Sequence, residues 1–189
     1  LVAQPGTAAQ NAAVVETLDD IIARRVAFLT AYQNAAYATR YADRLAALRK
    51  AEARAMPGST DVTEAAARNL FKLMAIKDEY EVARLYTDGS FAAELGKQFQ
   101  SYDKLEFHLA PPMMGRRGKD GKPRKSSFGS WMMDGFRLLA AIKGLRGTVF
   151  DVFGYSSERR MERQLLAQYE ADLELVASAL AAGKVEAAA

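Results

Sequence analysis

The sequence has 189 residues, half of them hydrophobic and 26% charged, with 26 Lys and Arg against 23 Asp and Glu. These proportions suit one soluble globular domain and exclude a disordered or collagen-like chain. The absence of cysteine excludes thiolate zinc sites, iron–sulfur clusters, disulfides and cysteine nucleophiles from this segment. A formal net charge of +3 is only mildly basic, so a polyanion would have to bind a local cluster of positive charge.

Targeting signals are not recognisable in the sequence. No apolar run approaches the ~18 residues that a membrane span needs, and no signal peptide is visible, which favours a cytoplasmic location. The chain begins with Leu1 rather than Met. We expect residues 1–10 to be a linker, residues 184–189 to be a tail, and the segment to be part of a longer chain. Sequence alone leaves open whether it is instead a separate gene product.

The first half of the chain is predicted to be helical. Residues 11–55 contain no Pro or Gly, and apolar side chains recur every three or four positions. An unbroken helix of this length would span ~65 Å at ~1.5 Å per residue, so we expect a bend at the polar pair Gln33 and Asn34. After a Pro-Gly stop, Asp61 followed by Glu64 resembles a capping box that opens a helix over residues 61–86.

A small β-hairpin is predicted over residues 104–128. Leu105, Phe107 and Leu109 alternate with polar residues, as the residues of a half-buried strand do. The two arms would be joined by a glycine-containing polar turn, and the Pro-Pro pair in the first arm limits that arm to an edge or ends it early.

Three further helices complete the predicted fold. They are expected over residues 90–100, 130–143 and 156–182, and the last has an apolar seam at the helical period. The predicted fold class is therefore mainly α: a single helical domain over residues 11–183 with long antiparallel helices and a small β-hairpin.

No motif of a known catalytic or phosphate-binding site occurs in the sequence. His108 lies on the polar side of the predicted strand, and a structural role is favoured over a general base because no second candidate partner is nearby. Helical spacing separates the carboxylates of Asp78, Glu79 and Glu81 around the cylinder, which favours a solvated face over an acid–base pair. We therefore predict no catalytic, cofactor-binding or metal-binding residue in this segment.

Two further clusters receive structural interpretations. The Met and aromatic residues within 131–136 have helical spacing and are predicted to be core rather than the lining of a pocket. Arg159, Arg160 and Arg163 stand at the start of the last helix, where the helix dipole disfavours positive charge. We expect them to pair with neighbouring glutamates or with acids elsewhere in the fold.

The predicted hairpin turn over residues 115–125 is the strongest electrostatic feature of the chain, with six basic residues against Asp120. Such a turn attracts phosphates or an acidic protein and accelerates association. Nucleic acid is disfavoured because no aromatic residues are interleaved for stacking. A solvated hairpin tip is the alternative interpretation. The candidate docking residues are Arg116, Arg117, Lys119, Lys122, Arg124 and Lys125.

Seven separated stretches together resemble one known family. They are 23–33 (ARRVAFLTAYQ), 67–74 (ARNLFKLM), 77–86 (KDEYEVARLY), 108–112 (HLAPP), 143–148 (KGLRGT), 153–155 (FGY) and 158–163 (ERRMER). In this order they resemble the carboxy-terminal region of the long, fused indolepyruvate ferredoxin oxidoreductases, which are 2-oxoacid:ferredoxin oxidoreductases. The resemblance extends over residues 18 to 180.

The resemblance implies the chemistry of a larger enzyme. Members of this family oxidatively decarboxylate an aryl pyruvate to an acyl-CoA and pass electrons to ferredoxin, using thiamine diphosphate, Mg²⁺ and [4Fe-4S] clusters. The family's cluster ligands are cysteines and its thiamine-binding parts lie in upstream domains, whereas this segment has no cysteine. The resemblance therefore implies a non-catalytic accessory domain that holds none of these cofactors itself. It transfers no catalytic residue onto this segment.

Two functions remain open from the sequence. The first is assembly or partner docking, with the catalytic domains of the same enzyme as partner and ferredoxin or coenzyme A as candidates at the basic turn. The second is a free-standing helical binding module whose basic hairpin captures a polyanion. Salt-dependent binding of a polyanion would distinguish the second from the first. A homo-oligomer and a monomer are both compatible with the sequence, and the sequence does not specify which 2-oxoacid is used.

Overall fold

The protein is mainly α-helical, as predicted. The computed structural model describes residues 16–101, 103–109 and 126–183. In these ranges it has seven α-helices, one short 3-10 helix at Lys143–Leu145 and a two-stranded antiparallel sheet. None of the helices in these ranges is long and apolar enough to cross a membrane. The elements are α1 (Leu18–Tyr32), α2 (Ala35–Ala55), α3 (Asp61–Met74), α4 (Glu79–Thr87), α5 (Ser90–Gln98), β1 (Phe107–Leu109), β2 (Ser126–Phe128), α6 (Met132–Ala141) and α7 (Ser157–Ala181).

The long helical stretch predicted over residues 11–55 is two helices, which meet at the expected polar pair. Gln33 leaves the helical backbone conformation, and Asn34 caps α2 because its side-chain oxygen accepts a hydrogen bond from the Tyr37 N–H at 2.9 Å. The start of α1 is fixed by a capping box between Thr17 and Asp20. The predicted start, residues 11–15, lies outside the described residues.

Ion pairs show how the long helices run. Asp19 at the start of α1 pairs with Arg49 near the end of α2, so these two helices are antiparallel. Arg40 and Arg44 of α2 pair in the same order with Glu170 and Glu174 of α7, which makes α7 parallel to α2. The apolar faces of α1, α2, α3 and α7 enclose the larger of two hydrophobic cores.

The helix predicted over residues 61–86 is interrupted. The structure ends α3 at Met74 and begins α4 at Glu79, because the Asp78 carboxylate accepts a hydrogen bond from the Glu81 N–H at 2.8 Å and caps a new helix. The apolar pattern continues across the break, which is why spacing alone joined the two helices.

The capping box predicted from Asp61 and Glu64 is not formed. Asp61 is already the first helical residue, and the preceding residue makes no side-chain cap. The buried carboxylate of Glu52 on α2 accepts hydrogen bonds from the backbone N–H groups of Val62 and Thr63 at 2.9 Å. The N-terminus of α3 is thus capped from a neighbouring helix.

The predicted hairpin is present but its described arms are short. In β1 and β2, His108 lies opposite Ser127 in antiparallel register. Of the arms predicted over residues 104–114 and 124–128, the described residues contain the strands Phe107–Leu109 and Ser126–Phe128, and residues 104–106 are not strand. The rest of both arms, within residues 110–125, lies outside the described residues. The predicted bounds of α5, α6 and α7 agree with the structure within two residues.

The hairpin, α4 and α6 share a second, smaller core. Phe107, Phe128 and Phe136 are buried there, and the ring of Tyr86 stacks on Phe136 with centroids 4.9 Å apart. The prediction that the cluster over residues 131–136 is core therefore holds for Phe136. It is wrong for Trp131, which is 64% exposed because it precedes α6 at the surface.

Candidate functional site

The residues predicted for docking cannot be placed in a site. Arg116, Arg117, Lys119, Lys122, Arg124 and Lys125 lie outside the described residues, so their role stays a prediction. His108 is exposed on β1, on the polar side of the strand as expected. In the part of the chain that the structure describes, no group of three His, Asp or Glu side chains is arranged to hold a metal ion.

The prediction of a solvated face is wrong for Asp78 and Glu81, which are only 7% and 5% exposed. Arg146 makes two hydrogen bonds to the Asp78 carboxylate, at 2.5 and 2.8 Å. Arg84 binds the Glu81 carboxylate with two hydrogen bonds of 2.8 Å. Two hydrogen bonds from one arginine replace those that a carboxylate gives up to water when it is buried. The arginine that pairs with Asp78 comes from a remote segment, so helical spacing does not reveal it.

Arg146 joins three parts of the fold. Its guanidinium lies 3.6 Å from the ring centroid of Tyr32, and its Nη1 donates to the Tyr32 carbonyl at 2.7 Å. Its other nitrogens bind Asp78, as described above. The side chain thereby ties the α1–α2 junction to the α3–α4 junction, with cation–π attraction added to the ion pair.

Asp151 organises the loop that precedes α7. Its carboxylate is 5% exposed and accepts four hydrogen bonds, from the N–H groups of Gly147, Phe153 and Gly154 at 2.8–3.2 Å and from the Tyr80 hydroxyl at 3.2 Å. Burial raises the pKa of Tyr80 to about 12, so its phenol keeps the proton that it donates. A Cβ at position 154 would lie 2.7 Å from Asp151 Oδ2, which explains the glycine.

The loop of residues 147–155, which we call the Asp151 loop, presents an apolar surface. Val149, Phe150, Val152 and Tyr155 are 76%, 72%, 56% and 57% exposed. The Tyr155 hydroxyl donates to the Val149 carbonyl at 2.6 Å, which closes the loop on itself. We name the surface that these four side chains form the apolar loop. In the sequence, these apolar residues occur in a glycine-punctuated segment between two predicted helices.

A cleft of about 310 Å³ opens beside these groups. It lies between the α1–α2 junction, the end of α3, the start of α4, the Asp151 loop and the first turns of α7. The polar side chains in its wall are Tyr32, Gln33, Tyr37, Arg40, Asp78, Glu79, Tyr80, Arg146, Asp151, Arg159, Glu162 and Arg163. Spacing along the sequence does not predict that these residues lie close together, because they come from five separate segments.

The rim of the cleft on α7 is charged. Arg159 Nη1 binds Glu162 at 2.6 Å, and Arg159 Nη2 lies 3.8 Å from Glu79 Oε2, which confirms the predicted pairing of Arg159. That second distance is too long for a hydrogen bond. Glu79 Oε2 is buried and has no hydrogen-bond partner among the described residues. Burial raises the pKa of the Glu79 carboxyl, and the nearby carboxylates of Asp78 and Asp151 act in the same direction.

The stretches that carry the family resemblance meet at this cleft. Six of the seven contribute residues to its wall, and the exception is 108–112 in the hairpin. Polar side chains of these stretches therefore line one cleft, and the Asp78–Arg146 and Glu79–Arg159 contacts join segments that are far apart in sequence.

Comparison with known proteins defines the family of the chain. The matching family model is described as "Family of unknown function (DUF6537)" and covers residues 18–189. The protein belongs to this family. The comparisons found no match among curated proteins and none among solved structures.

Proposed function

We propose that this chain is the non-catalytic carboxy-terminal domain of an indolepyruvate (aryl-2-oxoacid):ferredoxin oxidoreductase. In this proposal the whole enzyme decarboxylates an aryl pyruvate to an acyl-CoA and reduces ferredoxin, with thiamine diphosphate, Mg²⁺ and [4Fe-4S] clusters held by its other domains. The role of this domain is assembly: it packs on the catalytic domains of the same enzyme. The resemblance of the seven stretches supports the identity of the enzyme, and the apolar loop supports the docking role.

The apolar loop is the observation that carries the docking role. Large apolar side chains that are exposed next to one another mark interaction surfaces more often than single exposed ones do. Here four such side chains lie within seven residues, and the most exposed is Val149 at 76%. The four hydrogen bonds to Asp151 hold the loop in place, so little conformational entropy is lost when a partner covers it.

The chemistry of this surface favours a protein partner over a polyanion. The four side chains of the apolar loop carry no charge, and their burial yields about 25 cal/mol for each Å² removed from water. A polyanion would instead need the basic side chains at residues 115–125, whose arrangement lies outside the described residues. The polyanion-binding alternative is therefore supported by composition alone, whereas the docking role is supported by a surface that the structure describes.

The coding sequence upstream of Leu1 and the activity of the full-length protein test this proposal. We expect upstream a thiamine-binding region and cysteine-rich cluster motifs. The purified full-length protein should reduce ferredoxin when indolepyruvate and coenzyme A are supplied together, and omission of either substrate is the control. A start codon close to Leu1, or a longer protein without such motifs, would show that the proposal is wrong.

A further inference from the structure

The cleft beside Arg146 has the features of a small-molecule site. We propose that it binds an α-amino acid with an apolar side chain, whose carboxylate pairs with Arg163 and whose ammonium group donates to Glu79. The inference is independent of the docking role, because it uses the cleft and not the apolar loop.

The size of the cleft fits a ligand of this kind. Its volume is about 310 Å³. This is near the lower end of the roughly 300–1,000 Å³ found for ligand pockets. A single amino acid fills such a space, whereas a dinucleotide would not fit.

The polar groups on the floor of the cleft already have hydrogen-bond or ion-pair partners within the protein, so a ligand is not required to satisfy them. Asp78 is paired with Arg146, and Asp151 accepts four hydrogen bonds, one of them from Tyr80. Arg40 on the α2 side is paired with Glu170. These contacts make a fixed floor, as a preorganised site requires.

Two groups in the wall are not satisfied in this way. Glu79 Oε2 is buried without a hydrogen-bond partner, and its nearest cation, Arg159, is held by Glu162. Arg163 lines the same cleft, and no residue in the described ranges forms an ion pair with it. A buried carboxylate oxygen without a donor is destabilising, and a bound donor would remove that cost. The wall thus offers one acceptor and one cation.

The relative position of the two groups suits a zwitterion. Arg163 follows Arg159 by four residues on α7, so their Cβ atoms are about 5–6 Å apart on one helix face. Arg159 lies 3.8 Å from Glu79 Oε2, and Arg163 follows it one helical turn further along α7, with its Nη1 3.3 Å from the position that a Cβ on Gly154 would take. A ligand that carries ammonium and carboxylate groups on one carbon can reach both.

Charge and polarity select among ligand classes. A simple carboxylic acid would leave the Glu79 carboxylate without a donor, and a simple amine would leave Arg163 without an anion. A zwitterion satisfies both and adds no net charge to the cleft. The apolar side chains in the wall are Leu73, Met74, Ile76, Phe153 and the buried Leu166, and they fit an aliphatic side chain.

Calorimetric titration of the full chain with L-leucine tests the proposal. The comparison ligands are 3-methylbutylamine, which lacks the carboxylate, and 4-methylpentanoate, which lacks the ammonium group. We expect saturable binding of leucine and at least about tenfold weaker binding of both analogues, because each loses a charged hydrogen bond. No saturable heat with leucine, equal binding of all three, or binding of the acid alone would each overturn it.

Matched variants locate the binding. Glu79→Gln and Arg163→Met should each weaken leucine binding at least tenfold. Glu158→Gln and Arg160→Met are the controls, since both residues are exposed in the first turns of α7 and do not line the cleft. They should leave the affinity unchanged. If leucine binds equally well to the Glu79 and Arg163 variants, the assignment is wrong. The analogue series on the unaltered chain stands even where a variant fails to fold.

Discussion

Replacement of Arg146 by methionine is expected to lower the free energy of unfolding by about 3–5 kcal/mol, because removal of one partner leaves a buried charge behind. Asp78 would keep its carboxylate at 7% exposure without a cation. The hydrogen bond to the Tyr32 carbonyl and the contact with the Tyr32 ring would also be lost. Urea unfolding of the full chain, followed by far-ultraviolet circular dichroism, measures the change.

Two companion variants isolate the cause. Arg137→Met removes an arginine whose partner is Asp134, with both side chains largely exposed, and should change the free energy of unfolding by less than about 1 kcal/mol. The double variant Asp78→Asn with Arg146→Met should cost less than the sum of the two single variants, because it leaves no unpaired charge. Equal effects of the Arg146 and Arg137 substitutions would contradict the role given to Arg146.

Glu52→Ala is expected to cost about 2–4 kcal/mol of stability, since each buried donor left unpaired costs about 1–3 kcal/mol. The Glu52 side chain is fully buried and accepts hydrogen bonds from the Ser59 hydroxyl, the Val62 and Thr63 N–H groups and the Thr63 hydroxyl. Thermal and urea unfolding measure the change. Glu64→Ala, at the more exposed pair with Arg68, is the control and should change stability by less than about 1 kcal/mol.

The same residue predicts a dependence on pH. Burial alone would raise the pKa of Glu52, but the hydrogen bonds from Thr63, Val62 and Ser59 outweigh it and lower the pKa. The ionised carboxylate therefore contributes its full stability above the pKa of the unfolded chain and loses it as the pH falls through the lower folded value. The stability difference between wild type and Glu52→Gln should shrink in that acidic range. A difference that stays constant or grows there would contradict this explanation.

Local signals in the sequence predict the elements of the fold well. The bend at Gln33 and Asn34 follows from a polar interruption of an apolar stripe, and Phe107 lies in the short strand that its alternating pattern indicates. The break between α3 and α4 is missed because Tyr80 falls on the extension of the apolar stripe, although a new helix begins after Asp78. A capping aspartate within an apolar pattern has a weak local signal.

The candidate site depends on contacts that local patterns do not contain. Asp78 and Glu81 look solvated from helical spacing, yet they are buried because Arg146 and Arg84 accompany them. The first of these arginines is 68 residues away in sequence. Asp151 similarly appears as one acid in a glycine-rich connection, and only the fold shows that it holds the apolar loop and contacts Tyr80.

Photocrosslinking from position 150 in the full-length protein tests the docking role most directly. Phe150 is replaced by p-benzoylphenylalanine, and the matched control carries the same replacement at Leu138 on α6, which is 66% exposed. Crosslinked peptides are identified by mass spectrometry after irradiation. The docking role predicts that position 150 crosslinks to the catalytic domains, outside residues 1–189, much more strongly than position 138 does. Crosslinks from position 150 that are absent, or that stay within residues 1–189, would contradict it.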